Sequence, residues 1–253
     1  MEETRPNFAE TPYGIVKRLQ VVREWLPRID RPLRILDYGC GTGEHLTFPL
    51  AEAGHTVVGV DVHTASIERA RSSYPLPNLE FRLAVTHLPL GEQGNYDVII
   101  CSEVLEHLDA PARLLAHFET LLNAEGRLII TTPNGCGSYE ILCALERRLH
   151  KMGIHQLLRA MAKPAPAQES TGFLNFDSRH VQFFSLSELQ RLFTDAGFQV
   201  LDRRARTLVC GPYADLLFQW LPLRRMLIRL NAGLADKLPL RCAADWMFLL
   251  RKA

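Results

Sequence analysis

Short runs of Val, Ile and Leu alternate along this chain with longer segments in which apolar residues recur every three or four positions. The runs have the length of β-strands, and the longer segments have the period of amphipathic helices. Because most runs are apolar at nearly every position, they are typical of strands covered by helices on both faces. The alternation therefore predicts an α/β fold built on a mostly parallel sheet. The predicted strands are residues 34–39, 56–62, 79–84, 96–102, 127–133, 198–206 and 245–253.

Helical periodicity predicts how these strands are connected. The predicted helices are residues 44–54, 64–74, 110–126 and 185–198. In the last of them, Ser187 and Gln190 have the spacing of a capping box, and Gly197 would end the helix. We interpret residues 1–253 as a single domain with two irregular or helical insertions, at 135–184 and 207–243.

Composition and charge limit which partners and which cellular compartment we expect for this protein. A formal net charge of +1 gives nucleic acid no overall attraction, so any basic patch must be local. The 6 cysteines are scattered and form no Cys-x-x-Cys pair, which is typical of reduced thiols. The polar N-terminus has no signal-peptide character, and no apolar run is long enough to span a bilayer. We therefore expect a cytoplasmic protein.

The stretch ILDYGCGTGEH places glycines at 39, 41 and 43 directly after the first predicted strand. A strand, a glycine loop and a helix form the nucleotide-binding corner of open α/β sheets. The spacing is neither the G-x-G-x-x-G of dinucleotide folds nor that of a P-loop. Instead, Asp37 precedes the glycines and Asp61 ends the second strand, where a carboxylate accepts hydrogen bonds from both hydroxyls of a ribose. The predicted ligand therefore carries a ribose and an amino group, for which Asp37 supplies the counter-charge.

Four segments occur in the order and spacing of one enzyme family: ILDYGCGTGEH, VVGVDVH, YDVIICSEVLEHL and GRLIITTPN. Together they resemble the motifs of class I S-adenosylmethionine-dependent methyltransferases over residues 30–135. Residues 180–198 are also similar to the tail of that family's small-molecule branch. The resemblance implies a Rossmann-like sheet of seven strands, mostly parallel with the last strand antiparallel, and helices on both faces.

The same resemblance implies roles around the donor, S-adenosylmethionine, or its product S-adenosylhomocysteine. Asp37 and the glycine loop would hold the methionine part, and Asp61 would hold the ribose. The implied donor-binding residues are Asp37, Gly39, Cys40, Gly41, Gly43, Asp61, Val62, Ala84, Val85, Thr86 and Ser102. Family members often carry an acid for the adenine amino group at the position of Ala84, so adenine recognition here would depend on backbone groups or on Thr86.

The segment SEVLEHL, which follows the fourth strand, carries the candidate chemistry. Glu103, Glu106 and His107 are spaced i, i+3 and i+4, so one helical turn would place them on one face as a metal site or an acid–base cluster. The E-x-x-E-H spacing resembles that of ubiquinone-pathway O-methyltransferases and small-RNA 2′-O-methyltransferases. This resemblance implies a divalent metal such as Mg²⁺, with His180 as a further ligand. Without a metal, His107 or His180 is the candidate catalytic base.

Residues 203–241 form a block with eight basic and two acidic residues, interleaved with apolar and aromatic residues at helical spacing. This pattern is typical of a helix on an anionic membrane surface. It also fits a helical insertion that packs on the domain or in a dimer, and we favour that packing slightly. A membrane-facing block would suit a lipid-linked acceptor. Nucleic acid is not favoured as a partner, since the sequence contains no recognisable RNA-binding module.

These patterns predict an enzyme that transfers a methyl group from S-adenosylmethionine to an oxygen of a small or lipid-like acceptor. The alternative within the class is a metal-dependent RNA 2′-O-methyltransferase. A nicotinamide-dependent oxidoreductase would need G-x-G-x-x-G and a catalytic Tyr/Lys or His pair, which we do not find. A binding module that keeps the donor pocket without catalysis is a third interpretation. The protein would be cytoplasmic, and peripheral to the inner face of a membrane if 203–241 binds lipid.

Overall fold

A computed structural model describes residues 12–84, 94–138, 148, 180–209 and 224–253. Seven strands form one sheet in the order β3-β2-β1-β4-β5-β7-β6. The strands are β1 (Arg34–Tyr38), β2 (Thr56–Asp61), β3 (Leu79–Leu83), β4 (Tyr96–Ser102), β5 (Leu122–Pro133), β6 (Phe198–Ala205) and β7 (Asp245–Lys252). Strand β7 is antiparallel to both β5 and β6, whereas the other neighbouring pairs are parallel. The predicted fold class is confirmed.

Six helices are described around the sheet. They are α1 (Pro12–Trp25), α2 (Thr47–Glu52), α3 (Thr64–Ser73), α4 (Pro111–Leu121), α5 (Leu186–Asp195) and α6 (Arg224–Ala235). Short 3₁₀ turns lie at Leu105–His107 and Leu240–Cys242. Within the described ranges, none of the helices combines the length and the apolar character needed to cross a bilayer.

Alternating residues of the central strands bury their side chains in different clusters, one on each face of the sheet. Leu36 of β1 belongs to one cluster, together with residues of α4 and α5 such as Phe118 and Phe193. The next residue towards the N-terminus, Ile35, belongs to the other cluster, which includes Trp25 of α1 and residues of α2. Helices therefore cover both faces, which explains why these strands are apolar at nearly every position.

The boundary between α4 and β5 differs from the prediction. The helix predicted to reach residue 126 ends at Leu121, and the strand begins at Leu122, which pairs with Tyr96 of β4. Leu122 is fully buried at this point. Asparagine and glycine follow it in the sequence and are weak helix formers, so pairing with β4 decides the conformation. The predicted helix is therefore wrong over 122–126.

The start of α5 also corrects the sequence interpretation. The N-cap is Ser185, whose hydroxyl accepts from the backbone N–H of Glu188, and the Glu188 carboxylate accepts from the backbone N–H of Ser185 at 2.7 Å. This is a full capping box two residues before the predicted pair, Ser187 and Gln190. A carboxylate at the positive end of a helix caps it more strongly than a neutral amide does, which favours this register.

Most of the two predicted insertions lies outside the described residues, namely 139–147, 149–179 and 210–223. The described parts are residues 135–138, 148 and 180–184 of the first insertion, and 207–209 and 224–243 of the second, of which 207–209 are not helical. The helical character predicted for 207–243 is therefore observed over Arg224–Ala235.

Candidate active site

The glycine loop between β1 and α2 adopts a left-handed backbone at all three glycines. Their φ angles are +79° at Gly39, +56° at Gly41 and +75° at Gly43. A Cβ added to Gly39 would lie 2.3 Å from a methyl group of Val104, and one added to Gly43 would lie 2.6 Å from the Phe81 ring. A Cβ on Gly41 would meet nothing within 4 Å. The two outer glycines are therefore required by the protein's own packing, while Gly41 borders open space that a ligand can approach.

Asp37 lies in the central strand β1 and is almost completely buried. The Thr47 hydroxyl donates to its carboxylate at 2.6 Å. Burial raises the pKa of Asp37 from 3.8 to about 6, an effect that the Thr47 hydrogen bond and the charge of Arg18 partly offset. A cationic group brought against this carboxyl would stabilise its ionised form. The position therefore suits an ammonium ligand.

Asp61 ends β2 beside the same loop. One carboxylate oxygen accepts from the backbone N–H of Gly41 and the other accepts from that of His63, each at 2.8 Å. These bonds hold the carboxylate in one orientation. Each oxygen can still accept a second hydrogen bond, as two hydroxyls of a ribose would require.

The other residues implied to bind the donor lie in different settings. The Cys40 side chain packs against the cluster formed by Ile67, Ala70 and Phe81, and burial raises the pKa of its thiol. Val62 follows β2 and is exposed, and Ala84 follows β3. Val85 and Thr86 lie outside the described residues.

Ser102 ends β4, where its hydroxyl is part of a buried chain of hydrogen bonds. Arg18 of α1 donates to the Ser102 oxygen at 2.9 Å, and the Ser102 and Thr131 hydroxyl oxygens lie 2.7 Å apart. Thr131 donates its own proton to the Glu103 carboxylate at 2.6 Å, so Ser102 must donate to Thr131. The Ser102 side chain thus links α1 to β5.

The segment after β4 does not form the single helical turn that was predicted. Glu103 has a φ of +55°, and only Leu105–His107 form a 3₁₀ turn. The backbone carbonyl of Glu106 accepts from the N–H groups of Val181 and Gln182 at 2.8 and 3.0 Å, which brings the preceding residue, His180, to this turn. The rings of His107 and His180 meet edge to face with centroids 5.0 Å apart.

Glu106, His107 and His180 form a group whose candidate ligand atoms all lie within 4.8 Å of one another. The Glu106 carboxylate is buried, and one of its oxygens accepts from Thr132 at 3.3 Å. Among the described residues, the other oxygen, Oε1, has no hydrogen-bond partner, and it lies 3.9 Å from Nε2 of His107. Burial and the nearby charge of Glu103 raise the pKa of Glu106 well above its ordinary value. A cation between these side chains would compensate the buried carboxylate.

Glu103 is not part of this group, which corrects the predicted set of four ligands. Its carboxylate accepts from Thr131 and from the guanidinium of Arg206, the latter at 3.3 Å. Burial raises the pKa of Glu103, but the charge of Arg206 and the two hydrogen bonds outweigh burial and lower it overall. Residue 103 has a left-handed backbone and lies outside the 3₁₀ turn that carries Glu106 and His107.

The site includes three residues that were not assigned to it from the sequence, namely Arg18, Arg206 and Asp245. Arg206 follows β6, is buried, and donates from Nε to the carboxylate of Asp245 at 2.9 Å. Asp245 begins the otherwise apolar strand DWMFLL. A charged residue at such a position indicates a buried polar contact, so the sequence contained a signal for this residue. The partner of that contact has no sequence signature, because it depends on which strands become neighbours.

A family model described as a methyltransferase domain matches residues 12–203 of the chain. This chain belongs to that methyltransferase family. The sequence-based assignment to class I S-adenosylmethionine-dependent methyltransferases is confirmed, and with it the prediction of an enzyme domain. The family gives no support to a nicotinamide-dependent oxidoreductase.

Relatives of this methyltransferase include enzymes named for one pathway. The ubiquinone biosynthesis O-methyltransferase of Acinetobacter baylyi is 32% identical over 105 residues, which are 40% of this chain and 44% of that protein. The enzyme of the same name from Albidiferax ferrireducens is 26% identical over 168 residues, which are 63% of this chain and 66% of that protein. The methyltransferase thus spans less than half of the length of the Acinetobacter relative.

The methyltransferase also resembles solved structures. An S-adenosylmethionine dependent methyltransferase from Mesorhizobium loti superposes with a TM-score of 0.59 at 18% identity, covering 93% of this chain and 98% of that one. At this level of identity the likeness shows the fold alone, and the chemistry must be argued from the site.

Proposed function

We propose that this methyltransferase transfers the methyl group of S-adenosylmethionine to an oxygen of a small or lipid-linked acceptor. The observation that carries the proposal is the proximity of the donor corner to the Glu106 group. Gly39 of the glycine loop packs so closely on Val104 that no Cβ would fit between them, and Val104 lies two residues before Glu106. A donor on the loop and an acceptor at the histidines would therefore be neighbours, as displacement at a methyl group requires.

The described residues suit the donor. Asp37 would bind the amino group of the methionine part, Asp61 would accept from the ribose hydroxyls, and Gly41 leaves room for the ligand at the loop. Val62 and Ala84 flank the ends of β2 and β3, where the adenine would lie. The Ser102 hydroxyl donates to Thr131 and accepts from Arg18, so it could contribute to donor binding only by accepting one further hydrogen bond.

The residues of the Glu106 group also suit a divalent cation. A buried carboxylate oxygen without a hydrogen-bond partner among the described residues lies close to two imidazoles, a donor set that Mg²⁺, Mn²⁺ or Zn²⁺ can use. Glu106, His107 and His180 would hold the ion, which when bound would orient an acceptor hydroxyl and lower its pKa. In the absence of an ion, His107 or His180 would accept the hydroxyl proton, since each lies at the same turn.

The relatives named for ubiquinone biosynthesis support an O-methylated small molecule as acceptor, at modest identity. Glu103, Glu106, His107 and His180 were the basis of the RNA 2′-O-methyltransferase alternative, and the last three of them lie together. A radiolabelled methyl-transfer assay with a panel of phenols, isoprenylated phenols and a short RNA separates the two. Labelling of the phenols supports the proposal, and labelling of the RNA alone contradicts it.

Donor binding is tested first by calorimetry with S-adenosylhomocysteine, which we expect to bind the unmodified chain. Asp61→Ala removes hydrogen bonds to the ribose, each worth about 1.5–3 kcal/mol, so affinity should fall by about tenfold to a hundredfold or more. His107→Asn, a change at the acceptor side, should keep donor affinity while turnover falls. Absence of heat with the unmodified chain would refute donor binding.

Metal binding is tested by thermal unfolding in chelator and in excess Mg²⁺ or Mn²⁺. A ligand present at about 100 times its Kd stabilises by about 2.7 kcal/mol, which raises the Tm of a chain of this size by about 5–10 °C. Glu106→Gln should abolish this shift, whereas Glu103→Gln should keep it because Glu103 binds Arg206 instead. An equal loss of the Tm shift in both variants would mean that Glu103 is also a metal ligand. If the metal does not raise the Tm of the unmodified chain, the mechanism would use a histidine as base without a metal.

A further inference from the structure

Helix α6 presents a row of large apolar side chains to solvent. Met226, Leu230 and Leu234 follow one another at intervals of four, and Leu238 comes just after the helix. Their exposed fractions are 48%, 48%, 45% and 43%. Residues spaced by four lie on one face of a helix, so the exposed side chains form a continuous stripe. Scattered exposed apolar residues are ordinary, but a contiguous row of them is typical of an interaction surface.

The opposite face of α6 is anchored to the domain, so the stripe has a fixed orientation. Asn231, Ala232 and Ala235 are buried. The Asn231 side-chain oxygen accepts from the backbone N–H groups of Leu208 and Val209, which follow β6. On the solvent side, a Cβ added to Gly233 would meet nothing within 4 Å. The stripe is therefore the outward face of a packed helix.

Positive charge flanks the stripe. Arg229 is exposed on α6, and Lys237 and Arg241 are exposed shortly after the helix ends. The acid of this segment, Asp236, is compensated by Lys17 of α1, whose Nζ lies 2.8 Å from its carboxylate. Apolar side chains flanked by basic ones are complementary to a surface with an apolar interior and an anionic boundary.

The stripe lies near the edge of the sheet that carries the candidate active site. Two adjacent residues of α1 make the connection. Lys17 donates to the carbonyl of Ala232 in α6 at 2.9 Å, and Arg18 donates to Ser102 at the end of β4 at 2.9 Å. Helix α6 is therefore connected through α1 to the end of β4.

We propose that the outward face of α6 docks on an anionic phospholipid bilayer. A second copy of the chain is a poorer occupant, because a two-fold contact places identical patches together and would bring Arg229 and Lys237 near their own copies. Four side chains also bury far less area than the roughly 1,200 Å² or more of a stable protein interface. The docking is independent of methyl transfer and would hold for a catalytically inactive chain.

The test is sedimentation of the full chain with vesicles of phosphatidylcholine, with and without phosphatidylglycerol. We expect binding to the anionic vesicles that weakens as salt is added, because the basic residues contribute. Leu230→Gln combined with Leu234→Gln keeps good helix formers while removing the apolar surface, and should reduce vesicle binding about tenfold or more. Arg229→Glu should weaken binding to the anionic vesicles selectively.

Leu201→Gln is the matched control, since Leu201 lies on β6 and is 44% exposed, much as the stripe residues are. It should bind vesicles as the unmodified chain does. Calorimetry with S-adenosylhomocysteine keeps this test separate from the proposed function, because the α6 variants should retain donor affinity. Equal vesicle binding by the α6 and Leu201 variants, or no binding by the unmodified chain, overturns the proposal. A dimer in analytical ultracentrifugation that the α6 variants dissociate overturns it in favour of self-association.

Discussion

The carboxyl of Asp37 titrates close to neutral pH because it is buried in the central strand. Its pKa is raised from 3.8 to about 6, so between these pH values the folded, ligand-free domain holds a proton there that an exposed aspartate would release. An ammonium group binds the ionised form, so a donor with an amino group must displace this proton when the pH is below about 6. Donor binding should therefore weaken as the pH falls through about 6.

We expect the affinity of the unmodified chain for S-adenosylhomocysteine to be about tenfold lower near pH 5 than near pH 8, because about a tenth of the Asp37 carboxyl is then ionised. Asp37→Asn cannot titrate, so its affinity should be low at both values and nearly independent of pH. Calorimetry at the two pH values measures both. If the affinity of Asp37→Asn still changes between the two pH values, another group causes the pH dependence.

At the scale of single elements, the glycines of the loop after β1 have two different roles, close packing within the protein and room for a ligand. Gly39 and Gly197 have nearly the same φ, +79° and +80°. They differ in surroundings, since an added Cβ would strike Val104 at Gly39 and would meet nothing within 4 Å at Gly197. A comparison of the two alanine variants therefore isolates the cost of the close approach.

Gly197→Ala should lower the free energy of unfolding by about 1–2 kcal/mol, the cost of a left-handed backbone for a residue with a Cβ. Gly39→Ala should cost about 1–3 kcal/mol more, since Val104 is also displaced. Urea denaturation of both variants gives the difference. Equal losses would mean that the segment after β4 moves away freely, which would weaken the link between the loop and the Glu106 group.

Prediction from sequence succeeded where local pattern decides structure. β4 occupies residues 96–102 as predicted, since every one of its residues is buried and the apolar run has no competing period. It failed at Leu122, where the helical period continues but pairing with Tyr96 turns the chain into a strand. The same limit applies to Glu103, since the letters E-x-x-E-H do not reveal a left-handed residue after β4.

The whole molecule brings together groups that are far apart in the chain. Glu106 and His180 meet because a backbone carbonyl binds the segment before α5, and Arg206 reaches Asp245 because β7 inserts between β5 and β6. Such partners follow from strand order and not from local spacing. This is why the glycine loop between β1 and α2 could be predicted from the sequence, whereas the buried ion network could not.

Arg206 should be the most costly of these groups to remove. Its guanidinium is 2.7 Å from Asp245 and 3.3 Å from Glu103, and it therefore holds the end of β6 to β7 and to the segment after β4. Among the residues that the structure describes, Arg206→Met would leave the buried carboxylate of Asp245 with only the backbone N–H and hydroxyl of Thr207. Breaking a buried pair in this way destabilises a fold by about 3–5 kcal/mol.

Denaturant unfolding of Arg206→Met measures this loss, and Arg82→Met is the control. Arg82 pairs with Glu80 at 2.6 Å, but both side chains are about half exposed, so its loss should cost no more than about 1 kcal/mol. Adding Asp245→Leu to Arg206→Met should recover part of the stability, because it removes the uncompensated buried charge. The contradicting outcome is a free energy of unfolding that falls no more in Arg206→Met than in Arg82→Met. In that case the ion pairs of Arg206 with Asp245 and Glu103 do not stabilise the fold, and the lowered pKa of Glu103 needs another cause.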